Sequence, residues 1–231
     1  MIIDFCAHCG YDEVSSLSHN IMNERFFDTA RFVELAQAAG IERSVVSGSE
    51  NESLIRFPTL SPASDVAEVG SVKGVRIFPT YQIWDFDGEE MASVLAAAKR
   101  SGLIVQICLR LQDPRVLVQK TPSGEVLKAL DKLAEVHKDV RFAVSGANYY
   151  EAQANSALFS RQNVWMDISH VQHPINSLEK LLAVVDAGRV LFATNSPIFY
   201  PKTAVYRVIH SAISDLNRDR ILYQNAKQLL G

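Results

Sequence analysis

The sequence predicts a single small (β/α)8 barrel spanning residues 1–231, on three observations. Short apolar, β-rich runs alternate with longer amphipathic stretches along the whole chain. Polar residues gather at the C-terminal ends of six of those runs, where barrels of this kind build their sites. No glycine-rich phosphate turn follows an early run, as a doubly wound dinucleotide-binding sheet would require.

The predicted strands, in order, are MIIDFC at 1–6, RSVVSG at 43–48, LIRFPTL at 54–60 and VKGVRIFP at 72–79. LIVQICLRL at 103–111, VRFAVSG at 140–146, NVWMDIS at 163–169 and RVLFATNS at 189–196 complete the eight. Val, Ile, Leu and Phe dominate them, as expected of parallel strands buried on both faces. The helices between them carry their own punctuation. DTARFVELAQAAG at 28–40 ends in glycine, and GEEMASVLAAAKRSG at 88–102 runs from acids to bases, the order a helix dipole favours. Further helices are expected at 123–137, 149–161, 177–188, 203–214 and 218–230, whereas 61–71 is too short and broken to form one.

Composition narrows the function classes. Hydrophobic residues make up 48% and charged residues 21% of the 231-residue chain, the balance of a soluble domain with a sizeable core. A net charge of −3 leaves no electrostatic footprint for nucleic acid or an anionic membrane. No apolar run is long enough to span a bilayer, and no basic segment precedes the first strand to suggest a signal peptide. The cysteines are Cys6, Cys9 and Cys108, an odd number that fits a reducing, cytoplasmic setting better than a disulfide framework.

The first strand raises the main chemical question. In an extended strand Asp4, Cys6 and His8 share one face, and Phe5, Ala7 and Cys9 the other. A Cys-x-His pair presents sulfur and nitrogen donors of the kind zinc takes. The other strand ends offer Arg76, Cys108, Arg110, Ser145, Asp167, Ser169, Thr194, Asn195 and Ser196.

Here the sequence resembles the amidohydrolase superfamily, in the branch related to aminocarboxymuconate-semialdehyde decarboxylase. MIIDFCAH resembles its opening metal-binding strand, and residues 72–108 resemble its fourth strand, helix and fifth strand. NVWMDIS, RVLFATNSP and RDRILYQNAKQLLG resemble its seventh strand, eighth strand and terminal helix. The resemblance implies a barrel with a metal centre, acting by hydrolysis of a C–N or C–O bond or by decarboxylation. Carried over position by position, the two first-strand histidines fall on Cys6 and His8, and the fifth-strand histidine on Cys108. The sixth-strand histidine falls on Ser145 and the eighth-strand aspartate on Asn195, so one of the five residues is retained.

Two readings of this altered set stand side by side. In one, Cys6, His8 and Cys108 form a Cys2His site for a single zinc ion. In the other, the cysteines are small core residues, His8 is a hydrogen-bonded remnant, and no metal binds. Asn195 cannot accept a proton as a carboxylate does, so a hydrolytic water lacks its base unless Asp167 stands in.

His8, Asn195 and Asp167 are thus the catalytic candidates, and Arg76, Arg110, Ser145 and Trp84 the substrate-binding ones. Either arginine suits a carboxylate or phosphate, although Arg110 could equally pair with Asp113 or Asp167. Trp84, with Tyr81 and Phe86, could wall a ligand or pack a loop. His170 and His173 are expected to be exposed on the rim, His19 lies in a long first loop, and His137 and His210 are surface or packing residues. The expected partner is a small anionic molecule. A homo-oligomer is compatible with the sequence, though no feature demonstrates one. The competing function is a catalytically silent barrel that binds a small anion or a protein.

Overall fold

In the computed structural model the described residues are 1–9, 28–48, 50–111 and 120–231, without the side chains of 68 and 69. His19, Asp113 and Arg115 lie outside them. Nine strands form: β1 Ile3–Asp4, β2 Arg43–Val46, β3 Leu54–Arg56, β4 Thr59–Leu60, β5 Gly74–Ile77, β6 Ile104–Cys108, β7 Arg141–Ser145, β8 Val164–Asp167 and β9 Val190–Leu191. Every pairing between them is parallel, in the order β1-β2-β3 and β4-β5-β6-β7-β8-β9.

The expected third strand is divided in two. Pro58 has no N–H to give a ladder, so β3 pairs with β2 and β4 pairs with β5. Backbone bonds from Phe57 N to Val46 O (2.8 Å) and from Arg76 N to Pro58 O (2.9 Å) carry the pairing across the break. The first and last strands meet in the same way. Phe5 N donates to Phe192 O (2.8 Å), Asn195 N to Cys6 O (2.8 Å) and His8 N to Ser196 O (2.7 Å). The strands thus run round to their start as a (β/α)8 barrel.

The helices are α1 Thr29–Ala38, α2 Glu89–Ser101, α3 Ser123–Val136, α4 Tyr149–Ala154 and α5 Ser156–Phe159. They continue as α6 Ser177–Leu181, α7 Pro201–Ile209, α8 Asp215–Asp219 and α9 Asn225–Leu230, the last two joined by a π turn over Arg220–Gln224. The helix expected over 149–161 breaks at Asn155, whose side-chain nitrogen donates to Glu151 O (2.8 Å) and competes with the helical ladder. The one expected over 177–188 ends after its first turns.

Two apolar layers enclose the strands. Inside the base of the barrel, Ile3, Phe5, Val45, Phe57, Ile104 and Leu191 pack with Leu229 and Leu230 of α9. Phe5 and Phe57 meet edge to face at 5.8 Å. Outside, Val75, Val105, Ile107, Phe142 and Met166 face the helices.

The first strand departs from simple alternation. Ile3 and Phe5 belong to the inner layer, but Ala7 and Cys9 belong to the outer one, so the pattern inverts at a bend over Phe5–Cys6. Asp4 caps that bend, accepting from Cys6 N (3.1 Å), Thr194 N (3.0 Å) and Thr194 Oγ1 (2.5 Å). Asp4 therefore faces the last strand, apart from Cys6 and His8, and corrects the expectation that the three share a face.

Gly74 shows how closely the base is packed. A Cβ there would lie 2.5 Å from the Phe57 ring and 2.6 Å from Ile104 O. The ring can rotate away, but the carbonyl belongs to the neighbouring strand. Gly74→Ala is expected to destabilise the fold by about 1–3 kcal/mol through overpacking, read as a lower urea midpoint at unchanged slope. An unchanged midpoint would show that β5 and β6 separate freely.

Candidate active site at the barrel mouth

The C-terminal strand ends bring most of the expected residues together above a polar floor. Arg76 on β5 is fully buried and is the centre of that floor. Its Nε donates to Gln106 Oε1 (2.8 Å), Nη1 to Ala7 O (3.0 Å) and Ser47 Oγ (3.1 Å), and Nη2 to Val45 O (3.2 Å). Gln106 Nε2 in turn donates to Phe5 O (2.8 Å) and Ser145 Oγ (2.7 Å). Arg76 and Ser145 are thus built into the barrel, and an incoming anion would have to displace those bonds.

Above the floor lies a chain of four side chains. The Cys6 thiol lies near both Cys108 and His8. His8 Nε2 lies 2.9 Å from Asn195 Oδ1, and Asn195 Nδ2 donates to Leu111 O (2.7 Å). Because the amide nitrogen is engaged by Leu111, its oxygen faces the imidazole, and the His8 proton sits on Nε2. Asn195 holds this pose from the left-handed region, at φ 56°. The Cys6 thiol is pushed well above its ordinary range, first by its hydrogen bond to Cys108 and then by burial, with Arg76 and His8 acting the other way.

Asp167, at the end of β8, is a second acid–base group. It is wholly buried, and that desolvation raises its carboxyl above the usual range against hydrogen bonds from Ser145 and Ser169. Oδ1 accepts from Ser169 N (3.0 Å) and Oγ (2.6 Å). Its Oδ2 is buried with no hydrogen bond of good geometry, as is Ser196 Oγ beyond the last strand.

Other residues fall differently from expectation. Arg110 pairs with Glu151 through both terminal guanidinium nitrogens (2.7 and 2.5 Å) and with Ser123 Oγ (2.6 Å), so among the described residues its carboxylate partner is Glu151 and not Asp167. Glu151, in the first turn of α4, also closes a capping box with Asn148. Trp84 packs in the outer layer and bonds Gln82 (3.4 Å). Tyr81 takes the wall position: it clusters with Phe78, Cys108 and Leu111, and its hydroxyl accepts from Leu111 N (2.9 Å). His170 is 5% exposed, contrary to its expected exposure, with Nδ1 3.3 Å from Ser169 Oγ and its ring 5.1 Å from Phe199. His173 is exposed as expected and lies beside Tyr150.

A family model described as Amidohydrolase matches residues 56–231. The chain belongs to the amidohydrolase family. No curated relative matches the sequence. Among solved structures, this amidohydrolase chain is similar to 5-carboxyvanillate decarboxylase from Sphingomonas paucimobilis, at 12% identity and a TM-score of 0.76 over 99% of this chain and 98% of that one. The 2,6-dihydroxybenzoate decarboxylase from Rhizobium gives the same values. A dihydroxybenzoic acid decarboxylase from Polaromonas, with bound manganese and 2-nitroresorcinol, is 14% identical at a TM-score of 0.75, over 99% of this chain and 96% of that one. At these identities the likeness is one of fold.

The cluster here does not suit manganese. That ion prefers carboxylate, carbonyl and water oxygens, whereas Cys6 and Cys108 supply sulfur, Cys6 is held protonated, and Asn195 supplies an amide engaged at both ends. Among the described residues no group of three or more His, Cys, Asp or Glu side chains is arranged to hold a metal ion. Nor, among them, is any helix long and apolar enough to cross a membrane.

The cap at the barrel seam has a testable pH signature. Burial raises the Asp4 carboxyl from 3.8 to about 7, outweighing its hydrogen bonds to Thr194 and Cys6. Between those values the folded chain binds the proton and the unfolded chain does not. Asp4 therefore stabilises the fold most below pH 4, and that contribution is lost as pH rises to 7. Its size is on the order of 4 kcal/mol. In Asp4→Asn the loss is expected to disappear, so denaturation midpoints of variant and parent should diverge in the variant's favour from pH 4 to 7. Parallel profiles would show that Asp4 titrates normally.

Proposed function

We propose that the chain is an amidohydrolase-family lyase that removes a carboxylate from a small carboxylated aromatic metabolite. The observation that carries this reading is Asp167, a wholly buried carboxyl raised above its usual range and with one oxygen unengaged. Desolvation of that kind favours the protonated form of the carboxyl, which can donate a proton. In the reaction the bond between the ring carbon and the carboxylate breaks, its electron pair stays on the carbon, and carbon dioxide leaves. Asp167 supplies the proton that the carbon takes. A proton from solvent then restores the Asp167 carboxyl, while His8 is held in place through its bond to Asn195. Tyr81 and Phe78 offer an aromatic wall for a ring.

Asn195 bears on the choice between lyase and hydrolase. A hydrolytic water needs a base beside the reacting carbon, and an amide bonded to His8 and Leu111 cannot take a proton. Decarboxylation needs a proton donor instead. The similarity to three decarboxylases adds support through the shared fold. Arg76 and Arg110 are engaged within the protein, so neither supports an anion subsite without rearrangement.

The decisive assay incubates the protein with a panel of hydroxybenzoates and carboxylated methoxyphenols and measures carbon dioxide release. In D2O the product is expected to carry one deuterium at the vacated carbon. Asp167→Asn should lower kcat by about 10²–10⁴ while binding persists. Binding of the panel without release of carbon dioxide would overturn the enzyme reading in favour of a silent, ligand-binding barrel.

A second reading rests on the nearness of Cys6 to both Cys108 and His8, which would have to draw closer together than they stand here to hold a metal ion. Thiolate and imidazole are donors that zinc takes, so Cys6, His8 and Cys108 would be its ligands after the thiols lose their protons. Elemental analysis decides it. Zinc near one per chain, lost in a Cys6→Ala, Cys108→Ala double variant, supports a zinc centre, and its absence after zinc incubation removes that reading.

A further inference from the structure

A second cationic site lies outside the barrel, behind β8. Most buried arginines of the described chain have a clear answer for their charge or donors. Arg110 has Glu151, Arg161 has Asp131 and Glu135, and Arg76 has its ring of oxygens. Arg207 on α7 does not. Burial pushes its guanidinium below the ordinary value, and no carboxylate offsets that effect. Its one hydrogen bond, Nη1 to Ile168 O, is long at 3.3 Å. No ion pair involves it among the described residues.

A half-buried guanidinium with no carboxylate partner keeps donors free for an anion. Here it opens on a cleft of about 230 Å³ between the loop after β8, α6 and α7. His210, three residues on at the C-terminal cap of α7, lines the same cleft. The remaining wall is mixed: Gln172, Asn176, Ser177 and Ser211 are polar, while Pro174, Ile175 and Tyr206 form an apolar strip in which Ile175 is 87% exposed and Tyr206 55% exposed. Glu179 also lines the cleft, but one of its oxygens accepts from Ala212 N (2.8 Å). A cation at one end and apolar side chains along the wall fit a ligand with one anionic group on a small apolar body.

We propose that this cleft binds a small organic carboxylate, with the carboxylate on the Arg207 fork beside His210 and the apolar body against Tyr206 and Ile175. The site is separate from the barrel mouth and does not depend on the decarboxylase reading. Arg207 bonds Ile168 O, in the segment between Asp167 and Ser169.

The test is a titration of the full-length protein with benzoate, followed by backbone amide NMR. Saturable shifts are expected at residues 206–211 and 172–178, and Arg207→Gln should weaken them by roughly tenfold or more, as loss of a charge-assisted bond implies. His210→Gln leaves the guanidinium in place and should weaken binding less, which keeps the proposal testable if the arginine variant folds poorly. Inorganic phosphate is the second arm. Phosphate shifts of equal affinity with none from benzoate would assign a free oxyanion and overturn the organic carboxylate. Benzoate shifts confined to the barrel mouth, or unchanged in both variants, would overturn the site.

Discussion

The Arg76 network is the constraint on which the rest of the barrel depends. It joins β1, β2, β5, β6 and β7 through side-chain bonds inside the sheet, where no water can replace a missing partner. Removing a guanidinium from water costs several kcal/mol even after relaxation. Hydrogen bonds to a charged group contribute about 1.5–3 kcal/mol each, so four of them can offset that cost and one or two cannot. The network is therefore stable only when complete. That requirement fixes where Gln106 and Ser145 stand and which carbonyls of the first strand face inward. A bend at Phe5–Cys6 meets it, by turning Phe5 O toward Gln106 and Ala7 O toward Arg76.

The same bend explains how much of the site was legible. Alternating apolar runs and helix punctuation revealed the barrel, because burial and capping act locally and leave periodic traces. The family resemblance pointed to Cys6, His8, Cys108 and Asn195, and the first three do meet, with Asn195 on the far side of His8. What alternation could not reveal was the reversal within the first strand. A two-residue bend stabilised by Asp4 and a threonine 190 positions away leaves no period to read. Pro58 was a readable signal, since proline within a run disfavours an unbroken strand.

The arginines failed for a different reason. Arg76 and Arg110 were correctly placed at strand positions near the mouth, but their partners lie on other elements: Gln106, Ser47 and two carbonyls for one, Glu151 and Ser123 for the other. Sequence shows where a charge is, not what answers it. His170 shows the same limit in reverse. Its loop position suggested solvent, whereas Phe199, from beyond the last strand, covers it.

Stability and chemistry share one stretch of backbone. The bonds that join the first strand to the last, Phe5 to Phe192, Cys6 to Asn195 and His8 to Ser196, also set the register of His8 against Asn195. A shift of one residue along that seam would turn side chains to the opposite face and separate the imidazole from its amide. The hydrogen bonds of Asp4 to Cys6 and Thr194 bracket the register from outside the barrel, and the Arg76 bonds hold it from within. The side chains of Cys6, Cys108 and Asn195 do not close the seam. The backbone does so, anchored by residues on either side of the site.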